Sequence, residues 1–503
     1  METIKINGSS LTIEQLVKVA RYAARVEIAP EAMETMKASR QLVFDLAESN
    51  TPVYGFNTGV GWNKDKRVFK EFFKQYNENL IRSHCLGVEP YASVEEVRAI
   101  MLARLNPLLL GITGIQPEIA VMYADMLNNG IHPLIPERGS VGEGDITCLS
   151  HIGLAMIGEG DVNFRGEIVS ASESLKKSGL KAAQLGPKDG LAIVSSNALG
   201  AGQGVLVAYE MQKLLDLMDV TYALSLEGLN GNTSPLDKEA QKIRPFVGQG
   251  YSAARIREYL EGSYIWEADW KKPVQDPLCY RSGAHVIGAV RDALRYLEDL
   301  LLIQLNSSDD NPCIILEEKR MISCSNFEAT NWAMAFEMLG LGIVQLSKMS
   351  CYRSIKLGNP EFTKLPRFLS PADNVLGFAT LQKVYTSLDS EIRHLANPAP
   401  DFFSLAGDIE DHANSIPYIV QKTRKMLDNL YYIIGIELMH GAQAVDLRND
   451  IHIGKGTKAV FEEFRREIPF YNVDRNLSVD IKKAYEIAKS GKLQKAAEEA
   501  VGR

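Results

Sequence analysis

After Gly190 the chain is dominated by five stretches of helical periodicity, at 204–217, 286–305, 331–351, 377–396 and 416–447. Most reach about 20 residues or more, well beyond the roughly 11 to 12 of an average globular helix. In 286–305, Val286, Val290, Ala293, Leu294, Leu297, Leu300, Leu301 and Leu305 occupy more than one face. That suits a helix buried in a bundle or between subunits. The pattern predicts a mainly α architecture built as an oligomeric bundle of long helices.

The first 200 residues read differently. The 11–26 segment carries Leu16, Val17, Ala20, Ala23 and Ala24, with Thr12 and Gln15 in capping-box spacing, which predicts an amphipathic helix. In Pro52-Val53-Tyr54-Gly55-Phe56-Asn57-Thr58-Gly59-Val60-Gly61, a proline and three glycines break that periodicity and predict an irregular loop. Loops of this kind often carry function. Short strand-like runs at 161–170 and 312–324 predict marginal hairpins, and a last charged helix is expected over 478–501 after a looser region. The expected blocks are 1–200 with the Tyr54 loop, 201–450 as the helix bundle and 451–503 as a helical C-terminal segment.

A net charge of -8 with a pI near 5.7, and basic residues interleaved with acidic ones, leave no footprint for nucleic acid. A small-molecule partner is expected instead. No stretch approaches the roughly 20 apolar residues of a membrane span, the most apolar run being read at 300–305. The N-terminus lacks the basic head and apolar middle of a signal peptide, so a cytoplasmic location without a membrane partner is expected. Cys85, Cys148, Cys279, Cys313, Cys324 and Cys351 form no Cys-x-x-Cys pair and have no His in zinc spacing. They are expected to be free buried thiols, with no metal bound.

An ordered series of motifs runs through nearly the whole chain. It includes Leu11-Thr12-x-x-Gln15-Leu16, Tyr54-Gly55-x-Asn57-Thr58-Gly59-x-Gly61, Arg82-Ser83-His84-x-x-Gly87, and Gly139-Ser140-Val141-Gly142-Glu143-Gly144-Asp145. Pro187-Lys188-Asp189-Gly190-Leu191-Ala192, Gln275-Asp276-Pro277, Asn306-Ser307-x-x-Asp310-Asn311-Pro312, Asn326-Phe327, Glu410-Asp411-His412 and Ala442-Gln443-Ala444-x-Asp446-Leu447-Arg448 follow. The series resembles the aromatic amino acid ammonia-lyase family. That resemblance implies the long-helix bundle of the fumarase/aspartase and ammonia-lyase superfamily, with a smaller loop-rich N-terminal domain. It also implies a homotetramer whose active sites are shared between chains.

Carried over by position, the resemblance implies that Tyr54 stands beside the substrate β-carbon as a base; a free tyrosine titrates near 10, so neighbouring donors must stabilise its phenolate. A packed loop tyrosine is the other reading. Arg281 matches the arginine that grips the substrate carboxylate through paired N–H donors, against the alternative of a surface arginine. His84, Asn311, Phe327 and Glu410 also match active-site positions. Each could instead be structural.

The departures carry as much information. In histidine and phenylalanine ammonia-lyases Gly-Ser-Val-Gly runs into Ala-Ser-Gly-Asp, whose tripeptide becomes the methylidene-imidazolone electrophile. Here Gly142-Glu143-Gly144 is one residue shorter and has no serine to lose water, so no cofactor is expected, and Glu143 is expected only to close the loop. The family asparagine after Gly-Leu-Ala is Ser195, with Asn197 two residues on, and Leu278 replaces the usual tyrosine. Lys383 is a gain: it either pairs with Glu410 to bind a polar heteroaromatic ring, or is an exposed lysine on a helix with Asp389, Glu391 and Arg393.

Elimination without the electrophile calls for a better leaving group, which a small-molecule betaine brings as its trimethylammonium. Aromatic faces should hold that group, with Phe56, Trp62, Tyr280 and Phe327 as candidates. An ammonia-lyase or aminomutase acting on another histidine-like substrate, and a non-catalytic binding protein, are the other readings.

Overall fold

All five apolar-periodic runs are helical in the computed structural model, which describes residues 2–47, 54–267, 272–399, 403–449 and 451–503. Four extend to or beyond their expected bounds, as Ala198–Leu229, Gly283–Leu305, Thr330–Leu357 and Ile416–Leu447. The fifth starts later, at Leu381–Leu395, because the preceding residues from Gly377 form turns. Pro52 and Val53 of the expected loop lie outside the described residues. Contrary to the sequence expectation, one stretch among the described residues, Asp189–Leu229, has a window long and apolar enough to cross a membrane, but that window is wholly buried within the protein.

Two compact units group the chain differently from the three consecutive blocks. The first comprises Met1–Tyr209, Leu297–Met334 and Ala399–Gln421, and the second Glu210–Tyr296, Ala335–Pro398 and Lys422–Arg503. In the first, the predicted amphipathic helix is Ile13–Tyr22, and both hydrogen bonds of its capping box form: Gln15 N–H donates to Thr12 Oγ1 at 3.2 Å and Thr12 N–H to Gln15 Oε1 at 3.0 Å. Its apolar face packs on the helix Val94–Leu108. That second helix is buried nearly throughout and carries Arg104, which donates to Asp309 Oδ1 at 3.2 Å and to the carbonyl of Ala192. A guanidinium this deep is tolerated only because its donors are matched.

Both predicted hairpins are present, as Asp161–Phe164 with Glu167–Ser170 and Cys313–Ile315 with Arg320–Ile322. All six cysteines are free; four are buried, while Cys85 and Cys324 are partly exposed. In the second unit, Arg353 and Glu437 form a buried ion pair, with Nη2 to Oε2 at 2.8 Å; burial disfavours the charged guanidinium, but the Glu437 charge and hydrogen bonds outweigh it and hold the arginine above its ordinary pKa. The expected final helix is two, Leu477–Lys489 and Lys492–Ala500, broken at Ser490-Gly491.

Candidate active site

The 139–145 loop leads into the helix Ile146–Met156 and is held from several sides. Asp145 N–H donates to the carbonyl of Ser196 at 2.6 Å, and Gly144 N–H donates to Asn197 Oδ1 at 2.9 Å. The Asp145 carboxylate accepts from Ser140 Oγ at 2.6 Å and from Leu199 and Gly200 N–H at 2.9 and 3.2 Å. It thereby caps the start of Ala198–Leu229 from outside that helix. Burial pushes this carboxyl up to about 7 in spite of those donors.

Beside the loop lies a cavity of about 700 Å³, lined entirely by the first unit. Tyr54, Gly61, His84, Ser195, Asn311, Phe327 and Glu410 all contribute to its wall. Tyr54 is half-buried, and its hydroxyl accepts from Gly61 N–H at 2.9 Å. Burial raises its pKa above the ordinary tyrosine value, the Gly61 donor opposes that, and the Glu410 charge adds to it. His84 Nδ1 lies 2.8 Å from the carbonyl of Leu80, a contact that requires the proton on Nδ1 and leaves Nε2 as an acceptor. Asn311 Oδ1 accepts from Cys324 N–H at 2.9 Å and Ser323 Oγ at 3.1 Å.

Three residues that the sequence reading did not assign to the site complete one side of this cavity: Glu143, Glu328 and His412. Their ligand atoms lie within 4.8 Å of one another, a spacing able to hold a cation. His412 Nε2 is 3.4 Å from Glu328 Oε2. The Asn414 amide donates to Glu143 Oε1 at 3.0 Å and Glu328 Oε1 at 3.1 Å, tying the two acids together. Their environments push them apart. Burial raises Glu143 to about 7, helped by the Glu328 charge, whereas the Thr330 and Asn414 donors overcome burial at Glu328 and hold it below the usual range. Glu328 is thus the stronger acid of the pair and Glu143 the more readily protonated.

Other expected residues fall elsewhere. Asn197 is fully buried, and its amide is spent on Gly144 N–H and the carbonyl of Phe327, so it positions the loop and does not line the cavity. Phe56 sits in the core with Leu42, Val43 and Ile314 and packs on Phe73 at 5.6 Å between ring centroids. Tyr280 is buried, hydrogen-bonding Ser225 Oγ and the carbonyl of Arg353. Of the four aromatic candidates, Trp62 and Phe327 line the cavity.

Arg281 and Lys383 belong to the second unit and are not among the lining residues. Arg281 borders a separate cavity of about 470 Å³ in that unit and donates to Gln275 Oε1 at 2.8 Å. Lys383 is exposed on the first turn of Leu381–Leu395 and makes no ion pair among the described residues.

The sequence pattern of the aromatic amino acid lyase family matches residues 11–466. The chain belongs to the aromatic amino acid lyase family. This lyase is 34% identical to histidine ammonia-lyase from Alkaliphilus metalliredigens, over 100% of this chain and 99% of that one. The crystal structure of the ergothioneine degrading enzyme ergothionase from Treponema denticola, in complex with desmethyl-ergothioneine sulfonic acid, superposes with a TM-score of 0.95 and 49% identity, covering 98% of this chain and 99% of that one. Tyrosine aminomutase from Streptomyces globisporus superposes with a TM-score of 0.94 at 30% identity, covering 100% and 99%. The mainly helical fold is thus the family's. No spacing rule would have joined positions 143, 328 and 412 of this lyase, since they meet only through the folded loops. The one sequence signal was the glutamate at 143 set between two glycines.

Proposed function

We propose that this lyase eliminates trimethylamine from ergothioneine, the betaine of 2-thiohistidine, to give thiourocanate, and that it does so without the self-made electrophile of its relatives. The observation that carries this reading is the 49% identity with ergothionase over 98% of the chain, against 34% with the histidine ammonia-lyase. The loop chemistry agrees with it. Methylidene formation requires a side chain that loses water at its β-carbon, and the side chain of Glu143, between Gly142 and Gly144, has no such group.

Tyr54 takes the β-proton; the C–H electron pair forms the new double bond, and the C–N bond breaks with its pair going to nitrogen, so trimethylamine leaves neutral. A raised Tyr54 pKa opposes that role in the free site. Gly61 N–H opposes the rise, and the substrate's own cation favours the phenolate further. Glu410, which already acts on Tyr54 electrostatically, engages the thioimidazole together with Lys383. Arg281 holds the carboxylate. His84, Ser195 and Asn311 offer polar contacts from the cavity wall, and Phe327 with Trp62 offers aromatic faces to the methyl groups.

Among the described residues, the cavity wall contains Glu143, Glu328, Glu410 and Asp411 but neither lysine nor arginine, so a substrate carboxylate calls for a cation from beyond these residues. The proposed cations are Arg281 and Lys383, in the homotetramer with shared active sites that the family resemblance implies.

Purified protein is incubated with ergothioneine while trimethylamine and the conjugated acid are followed. Release of both is the expected result. No release from ergothioneine, with ammonia released from histidine, refutes the assignment in favour of an ammonia-lyase. Lys383→Met is expected to stay folded and lose most activity; unchanged turnover removes Lys383 from the site.

A further inference from the structure

We infer that the Glu143 carboxylate is the counter-ion of the substrate's quaternary ammonium and the residue that selects a trimethylated amine, a role that rests on the elimination proposed above. Three observations converge on it. Glu143 is the loop residue whose side chain lines the cavity, although its neighbours Gly142 and Gly144 offer no side chain. Its carboxyl is only partly satisfied: among the described residues it accepts one hydrogen bond, from Asn414 Nδ2 to Oε1 at 3.0 Å. Glu328 beside it accepts from Thr330 N–H and Thr330 Oγ1, each at 2.8 Å, and from Asn414, and has His412 at 3.4 Å. Of the two acids, Glu143 is the one with carboxylate acceptor positions left unfilled.

The rest of the cavity leaves the cation little choice. With Tyr54 at the β-carbon and Glu410 at the ring, the substrate carboxylate is repelled from the Glu143 and Glu328 side, and the ammonium is drawn to it. A trimethylammonium donates no hydrogen bonds, so it needs a nearby charge and asks nothing of acceptor geometry. A primary ammonium differs: it can still donate to an uncharged amide oxygen.

The reaction adds a constraint. The positive charge on nitrogen disappears as the C–N bond breaks, so an anion beside it stabilises the bound substrate more than the transition state. Glu143 therefore sets affinity and selectivity and does not accelerate the chemical step.

The test uses the full-length protein with Glu143→Gln, which removes the charge but keeps an acceptor oxygen, and Glu143→Asp, which restores the charge. Binding of α-N,N,N-trimethylhistidine and of histidine is measured calorimetrically on each, in parallel with turnover of ergothioneine. Glu143→Gln is expected to weaken the trimethylated ligand by about tenfold, or about 1.4 kcal/mol, with a much smaller change for histidine. KM for ergothioneine should rise while kcat holds or increases, and Glu143→Asp should recover a substantial part of the loss. Equal losses for the two ligands, no loss, or a fall in kcat with unchanged KM overturns the inference. So does abolition of betaine binding by EDTA with recovery on adding Zn²⁺, which would assign Glu143, Glu328 and His412 to a metal. If wild-type protein releases no trimethylamine but betaine binding still depends on the charge at 143, the proposed elimination fails and the counter-ion role stands.

Discussion

A methyl group added at Gly142 tests whether the 139–145 loop is held as tightly as its contacts indicate. Gly142 has φ +92°, and a Cβ there would stand 2.1 Å from Asn414 Oδ1 and 2.9 Å from the backbone nitrogen of Ile416. The side chain of Asn414 must move, and with it go its bonds to the Gly142 carbonyl, Glu143 and Glu328. Backbone strain at such a φ costs about 1–3 kcal/mol, and losing a hydrogen bond to a charged group costs about 1.5–3 kcal/mol. Together, Gly142→Ala should reduce the local opening free energy by roughly 3–5 kcal/mol. Gly144 is the internal control. Its φ is +77°, but the nearest atoms to an added Cβ are Ile146 Cγ1 at 3.6 Å and Ser196 N at 3.7 Å, ordinary contact distances. Gly144→Ala should then cost only the conformational part, about 1–2 kcal/mol.

Hydrogen exchange reads the difference directly, because the amides of Gly144, Asp145 and Ser415 are all bonded in this region. Where exchange follows the opening equilibrium, Gly142→Ala should speed these amides roughly 100-fold or more and Gly144→Ala roughly 5- to 30-fold, at about 1.4 kcal/mol per tenfold. Equal acceleration in the two variants, or unchanged exchange at Gly144 and Asp145 in Gly142→Ala, would refute the steric argument.

Three further outcomes are expected. Tyr54→Phe should lower turnover by about 10²- to 10⁴-fold without lowering the melting temperature; retention of most activity would move the base elsewhere. Phe56→Ala should destabilise the first unit by roughly 3–5 kcal/mol, seen as earlier unfolding in denaturant, because Phe56 packs with Leu42, Val43 and Ile314; a stable variant with weakened ligand binding would instead return Phe56 to the site. Glu143 is raised in the folded protein to about 7 from the ordinary value of 4.5, so the folded state holds its proton more tightly than the unfolded chain. Its contribution is fully present below the unfolded value and is lost as pH rises through about 7. Thermal scans should therefore show wild type and Glu143→Gln nearly matched at about pH 4.5 and wild type less stable at about pH 8; a pH-independent difference would contradict the raised titration.

Much of this protein was legible one residue at a time. Local periodicity marks the long helices because an apolar face recurring every few residues can be buried only as a helix. Thr12 with Gln15 marks the first helix because a capping box closes within a single turn. The same locality explains the misses. Phe56 and Asn197 stand beside true wall residues, Tyr54 and Ser195, yet one points into an apolar cluster and the other spends its amide on Gly144 and Phe327. Neighbours in sequence share a loop but not a direction.

By itself, then, the sequence determined the helical architecture, the family motifs and the Gly142-Glu143-Gly144 run without a serine, because each depends on residue type and short-range order. Only the tertiary structure decided what Glu143 meets. Burial and the Glu328 charge raise its pKa while His412 and the Asn414 donor oppose that rise, and these three residues arrive from remote segments. Burial and Coulomb interactions depend on distance in space, which residue order alone does not state.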